Sequence, residues 1–185
     1  KYINGHSDVV GGAVIAKTQE LFERLKYWAN CLGLTASPFD AYLTLRGLRT
    51  LKARLNLHLA NTKAIVRVLG AHAAVQKVHY PGLKDHPGHA IAVKQQRGFG
   101  AMISFELQDT EEVKAFLAKL RYFSLAESLG GVESLIAHPA SMTHAAMDPE
   151  ARRIAGISDG LLRLSIGIED GDDLCRAIGT ALDAV

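Results

Sequence analysis

Apolar and polar positions alternate in two different periods along this chain, and the change comes near residue 75. The first 74 residues hold mostly a helical repeat. Over 18–31, Leu21, Phe22, Leu25, Trp28 and Ala29 fall on one face of a 3.6-residue period. Thr18 is a sound N-cap, Glu20 places negative charge in the first turn, and Gly33 closes the segment, so a helix is predicted over 18–31. From Ser37-Pro38-Phe39-Asp40 a longer repeat starts: Leu45, Leu48, Leu51, Leu55, Leu59, Thr62, Ile65, Val66 and Leu69 keep the period, with Gly47 the one weak point. A continuous helix over 37–69 would run about 50 Å at ~1.5 Å per residue, long enough to connect two domains. Before both helices, residues 9–16 are β-branched and glycine-bearing, and read as a buried strand.

Beyond residue 75 short strands alternate with helices. Residues 75–80 alternate apolar and polar and stop at Pro81-Gly82. The runs 99–107, 123–126 and 161–168 read as strands; 110–120, 147–155 and 171–185 read as helices, the last with acidic residues in its first turn. Such alternation implies an α/β or α+β layer domain. The segment between, 81–98, reads as a histidine-rich loop around Pro87-Gly88.

Composition narrows the class. Of 185 residues 48% are hydrophobic and 22% charged, which fits a globular chain with a real core. A net charge of +2 is too small to imply a nucleic-acid or membrane surface. No apolar run is long enough to span a bilayer as a helix. The two cysteines, Cys31 and Cys175, have neither disulfide-framework nor metal spacing, which favours a reducing, cytoplasmic compartment. His72, His79, His86 and His89 lie close together without paired-ligand spacing, so no metal is expected.

Three stretches carry chemistry. The chain opens Lys1-Tyr2-Ile3-Asn4-Gly5-His6-Ser7-Asp8, a lysine at a tight glycine turn, which reads as the interior of a larger fold and suits an amine used for imine chemistry. Residues 125–136 set Glu127-Ser128 and Glu133-Ser134 around Gly130-Gly131, where glycine lets the backbone approach a ligand or another chain; a surface hairpin has the same pattern. Arg163 sits within an apolar strand and needs an anionic partner, either a protein carboxylate or that of a ligand. Arg46, Arg49, Lys52 and Arg54 form a basic stretch that reads as a solvated face or a subunit contact.

Together these stretches, with His138-Pro139-Ala140-Ser141-Met142-Thr143-His144 and Leu162-Arg163-Leu164-Ser165-Ile166-Gly167-Ile168-Glu169-Asp170, resemble the Cys/Met-metabolism family of pyridoxal-phosphate enzymes, in the family's order and over 1–185. The family includes cystathionine γ-synthases, γ-lyases and β-lyases and methionine γ-lyases. The resemblance implies an α/β, fold-type I transferase fold: 1–59 as the end of the large cofactor domain and 60–185 as a smaller C-terminal α/β domain. It implies pyridoxal 5'-phosphate carried covalently on Lys1, with Ser128 helping to position that lysine. Arg163 matches the arginine for the substrate α-carboxylate, and Glu127 matches a position that influences which reaction runs. The family's phosphate loop, aromatic stacking residue and pyridine-nitrogen aspartate have no counterpart in these residues. The implied partner is a small amino acid, in a homotetramer with no nucleic-acid or membrane partner. The implied reaction is γ-elimination of L-cystathionine to cysteine, 2-oxobutanoate and ammonia, which Ser37-Pro38 and His138-Pro139-Ala140 favour. The alternative is γ-replacement of an O-acyl-homoserine by cysteine; a non-catalytic scaffold of the same fold is a third possibility.

Overall fold

A computed structural model describes all 185 residues. Helix α1, Gln19–Leu32, begins and ends where the sequence places it: the Thr18 hydroxyl accepts from the Leu21 amide, and Gly33 closes it in the left-handed region at φ 68°. Its apolar stripe is uncovered by the rest of the chain, with Phe22 and Trp28 about half exposed.

Residues 9–16 are irregular rather than a strand. A strand needs a ladder, and no other segment pairs with this one; Val10 and Ile15 face solvent.

The predicted long helix is two: α2, Pro38–Arg49, and α3, Leu51–Ala71, parted by Thr50. The break is held in place. The Gly47 carbonyl receives the Thr50 amide and hydroxyl, both at 3.2 Å, and Arg54 Nη2 at 2.7 Å. Gly47 itself is a close-approach glycine, since a Cβ there would lie 2.2 Å from the carbonyl oxygen of Asn4.

The remaining elements are β1 (Lys77–His79), α4 (His89–Gln95), β2 (Met102–Glu106), α5 (Thr110–Lys119), β3 (Phe123–Leu125), β4 (Ser134–Ala137), α6 (Pro149–Ile154), β5 (Leu161–Ser165) and α7 (Gly171–Leu182). The strands form one sheet in the order β1-β2-β5-β4-β3. All neighbours are antiparallel except β3 and β4, which are parallel. The glycine-rich stretch after β3 is therefore not a hairpin. It runs back along the sheet to start β4, a fully buried four-residue strand that the sequence pattern conceals. Helix α4 replaces part of the expected histidine loop.

Side chains alternate across β5. Leu162 and Leu164 face the core with Ile103, Phe105 and Ile136, against Ile65 and Leu69 of α3, Phe116 of α5, and Leu174 and Ile178 of α7. Arg163 and Ser165 face the other way. Arg163 lies between Ser104 of β2 and Ala137 of β4 in register. That second face, at the C-terminal end of β5, meets the Lys1 turn.

Candidate active site

The lysine turn is fixed from beneath. The Gly5 amide donates to the Lys1 carbonyl at 2.9 Å, and Gly5 takes φ +71°, where a side chain would collide with Arg54. Arg54, from α3, is only 4% exposed. It donates from Nη1 to the Tyr2 carbonyl at 2.9 Å and from Nη2 to the Ile3 carbonyl at 3.3 Å; Nε reaches the Thr50 hydroxyl at 3.0 Å. No carboxylate pairs with it, so its charge is dispersed over carbonyl oxygens, and burial lowers its proton affinity from the ordinary value. Asn4 Nδ2 bonds Asp8 at 2.7 Å and Ser7 donates to Glu133 at 2.5 Å, which ties the far side of the turn. The Lys1 side chain itself is exposed.

One turn further along α3, His58 is fully buried and its Nδ1 lies 2.6 Å from the Ile166 carbonyl. A carbonyl only accepts, so Nδ1 carries the proton and the neutral Nε2 is left bare; Nε2 has no partner. Burial chiefly, with the Arg54 charge adding, lowers the His58 pKa below its ordinary 6.5. The Tyr2 ring meets His58 edge-on, 5.4 Å between centroids. Burial raises the Tyr2 pKa, and its hydroxyl lies beside Ser165 without completing a hydrogen bond of normal geometry. Asn61, a turn beyond His58, donates to the carbonyls of Gly167 at 3.2 Å and Glu169 at 2.9 Å.

The loop after β3 closes over the turn. Gly130, at φ +79°, sits so near the lysine that a Cβ would come 2.8 Å from Lys1 Cβ. Its amide donates to Ser165 Oγ at 2.9 Å. Arg163 Nη2 donates to the Glu127 carbonyl at 2.9 Å and the Ser128 carbonyl at 3.3 Å. The loop's other end is clamped by Glu169, whose carboxylate accepts from the Ser134 amide at 2.6 Å and hydroxyl at 2.8 Å. Lys1, the Glu127-Ser128 stretch and Arg163 thus lie on the same face of the sheet, linked through Gly130 and Ser165.

Among these 185 residues no carboxylate lies within ion-pair distance of Arg163, and its Nε and Nη1 donors meet no acceptor. The Glu127 and Ser128 side chains are exposed and make no hydrogen bond, and Glu127 pairs with neither Lys119 nor Arg121. A free lysine amine on a rigid turn, a glycine floor without side chain, and a guanidinium with spare donors suit an aldehyde cofactor and an amino-acid carboxylate.

Arg54 and His58 lie outside the sequence motifs, and Tyr2 and Ser165 lie within them with no role assigned there. Arg54 is the misread case. The sequence groups it with Arg46, Arg49 and Lys52 as a solvated face, yet those three are exposed while Arg54 is buried. The available signal is its spacing: 54, 58, 61 and 65 lie on one face of α3 and lead into the core stripe. The histidines after residue 71 serve structure. His79 Nε2 meets Glu106 Oε1 at 2.7 Å, with Ser158 on the other carboxylate oxygen at 2.9 Å, while His89 stacks on Phe99. No group of three His, Cys, Asp or Glu side chains could hold a metal ion.

The sequence profile of the family described as Cys/Met metabolism PLP-dependent enzyme matches residues 1–183. Among curated relatives, cystathionine γ-synthase of Escherichia coli K12 is 57% identical over 94% of this chain and 45% of its own length. Cystathionine β-lyase of Lactococcus lactis subsp. cremoris is 51% identical over 99% and 48%, and cystathionine γ-lyase of Bacillus subtilis 49% over 100% and 49%. A crystal structure of cystathionine γ-synthase from Xanthomonas oryzae pv. oryzae, in complex with aminoacrylate and cysteine, superposes with a TM-score of 0.95 at 66% identity, covering 100% of this chain and 48% of that one. The chain thus spans about half the length of the relatives it matches.

Proposed function

The chain belongs to the Cys/Met-metabolism PLP-dependent enzymes, and on that premise we propose that it serves γ-carbon chemistry with cystathionine as product or substrate. The observation that carries this reading is Arg163, whose free Nε and Nη1 donors lie beside the loop that floors Lys1. When bound, the cofactor supplies an electron sink for charge that develops at the substrate's α-carbon. Lys1 would hold it covalently; once the substrate's amine takes that place, the released Nζ accepts the α-proton and then moves protons at the neighbouring carbons. Loss of a β-proton lets the γ-substituent depart. Arg163 receives the α-carboxylate and sets the angle of the bond to be broken. Ser128 positions the lysine, and Glu127 receives the distal ammonium of cystathionine.

We take γ-replacement as the first reading, supported by synthases at 57% and 66% identity, against a β-lyase at 51% and a γ-lyase at 49%. In that direction cysteine displaces the acyloxy group of an O-acyl-homoserine, forming the Cγ–S bond and releasing a carboxylic acid. γ-Elimination, which Ser37-Pro38 and His138-Pro139-Ala140 favour, is the second reading: cystathionine and water yield cysteine, 2-oxobutanoate and ammonia.

We assign 1–59 to the end of the cofactor domain and 60–185 to the C-terminal domain. The uncovered stripe of α1, with Phe22 and Trp28, supports burial against further chain or another subunit of a homotetramer. No helix is long and apolar enough to cross a membrane, and two unpaired cysteines support a cytoplasmic setting.

The test uses the protein at its natural length. A borohydride-reducible adduct should map to Lys1, and Lys1→Ala should abolish both adduct and turnover. Cystathionine formed from O-succinyl-homoserine and cysteine establishes replacement; cysteine and 2-oxobutanoate from cystathionine alone establish elimination. Homocysteine with pyruvate means β-cleavage and ends the γ reading, and a colourless protein without adduct ends the enzyme reading.

A further inference from the structure

The link between Lys1 and Arg163 passes through a residue that neither binds the carboxylate nor carries the cofactor. Ser165 lies two residues after Arg163 on the same face of β5 and is 1% exposed. It is braced from both sides, in register with Met102 of β2 and Leu135 of β4. Its hydroxyl accepts the Gly130 amide at 2.9 Å, and no other acceptor reaches that amide. Gly130 in turn has no slack: a Cβ there would lie 2.8 Å from Lys1 Cβ and 3.2 Å from the Tyr2 amide nitrogen. Any shift of Gly130 is therefore a shift of the lysine's floor. The next residue of the lysine turn, Tyr2, puts its buried hydroxyl beside the same serine.

We propose that Ser165 is a positioning residue: through the Gly130 amide its hydroxyl sets where Lys1 stands relative to Arg163 on the same strand. The inference rests on Lys1 and Arg163 having the roles given above. Without the hydroxyl, the Gly130 amide is a buried donor with no acceptor, and the loop must move to find one. Arg163 stays fixed on β5 by its ladder pairing with Ser104 and Ala137, so substrate capture is affected less than proton transfer at Lys1. Misplacement on the order of 1 Å costs up to ~100-fold in rate.

The experiment compares Ser165→Ala with Tyr80→Phe in the natural-length protein. Tyr80→Phe removes a part-buried hydroxyl that donates to the Gly100 carbonyl at 3.0 Å and makes no hydrogen bond to the lysine turn, Gly130 or Ser165. Three quantities are read: the rate at which cofactor-free protein forms the Lys1 adduct on adding pyridoxal phosphate, followed by visible absorbance; the circular dichroism of the bound cofactor; and kcat and KM separately. Ser165→Ala is expected to slow adduct formation, change the dichroism and lower kcat by about tenfold or more, with KM within about twofold. Tyr80→Phe should lose comparable thermal stability and change none of the three. Wild-type adduct rate and kcat in Ser165→Ala overturn the inference, and so does a raised KM at unchanged kcat, which would place the effect on Arg163. If Ser165→Ala does not fold, Ser165→Cys keeps the volume with a weaker acceptor: reduced adduct rate supports the assignment, wild-type rate refutes it. Absence of any Lys1 adduct in the unsubstituted protein overturns the functional reading itself, and this inference with it. An adduct that forms there and equally fast in the variants overturns the inference alone.

Discussion

Replacing Arg54 by alanine removes the one side chain that grips the lysine turn from inside the protein. The cost can be worked from the acceptors it leaves. The Gly47 carbonyl keeps the Thr50 amide and hydroxyl at 3.2 Å each, so it is not orphaned. Ile3 is 52% exposed, and its carbonyl can turn to water. The Tyr2 carbonyl has no such alternative and is left without a donor, which costs about 1–3 kcal/mol. The space vacated by the buried stem adds about 1–2 kcal/mol. Against this, alanine spares the desolvation of a buried guanidinium that has no carboxylate partner. The lost contacts win, but modestly: a net loss of about 3 kcal/mol. Arg54→Lys should recover less than half, because one ammonium cannot span the Tyr2, Ile3 and Gly47 carbonyls. The assay is urea unfolding by circular dichroism without cofactor, paired with the rate of adduct formation at Lys1. A loss below about 1 kcal/mol together with an unchanged adduct rate would refute the clamp.

Three further expectations follow from the site. Arg163→Ala should raise KM strongly, by the loss of a charge-assisted pair worth roughly 1.5–3 kcal/mol, and Arg163→Lys should rescue little; equal binding of α-amino acids by both variants and the unsubstituted protein would make the arginine structural. Glu127→Ala should weaken cystathionine far more than a simple thioether amino acid, and equal losses on both would show that the carboxylate does not read the distal ammonium. Because the folded His58 pKa is below its ordinary 6.5, the unfolded chain binds the extra proton first as pH falls. The contribution of His58 is full above that value and is lost as pH falls through it toward the folded value. His58→Gln should flatten the stability profile in that window, and an unchanged slope would assign it to another group. Glu106 is different: burial pushes its pKa up, but the His79 and Ser158 hydrogen bonds and the nearby His79 and Lys77 charges outweigh it, so the net shift is down from 4.5 and its stabilisation is lost only at lower pH.

Local signals in the sequence were enough wherever a structure is set locally. Thr18 and Gly33 mark both ends of α1, and alternation locates β1, β2 and β5, because caps and one-sided burial write themselves into neighbouring residues. The failures are all tertiary. Residues 9–16 have strand composition but nothing in the chain to pair with. The Thr50 break depends on the Asn4 carbonyl lying against Gly47, 43 positions earlier in the chain. Strand β4 is buried on both faces, so it has no alternation to read. Among the candidate site residues, Lys1, Glu127 and Ser128 are named through the family resemblance, and Arg163 also by its charge within an apolar strand. The residues that hold them are not, because a buried serine or histidine looks the same in sequence as an exposed one.

Helix α3 shows why those holders occur where they do. Its C-terminal half is ordinary core, with Ile65, Val66 and Leu69 packed beneath the sheet. Its N-terminal half carries Arg54, His58 and Asn61 on the continuation of the same face, spaced by four and three residues and each under 5% exposed. Polar side chains on a core stripe would destabilise unless each found backbone to bind, and each does. Arg54 takes the Tyr2 and Ile3 carbonyls, His58 the Ile166 carbonyl, and Asn61 the carbonyls of Gly167 and Glu169. The first grips the segment that carries Lys1; the other two grip the segment that continues from Arg163 and Ser165. One rigid helix therefore holds both chemical groups by their main chains, at a separation set by helical rise rather than by loops. The boundary proposed at residues 59 and 60 falls inside this helix, between His58 and Asn61. The two parts are joined there by an unbroken helix, so a hinge between lysine and arginine would have to break hydrogen bonds of α3 itself.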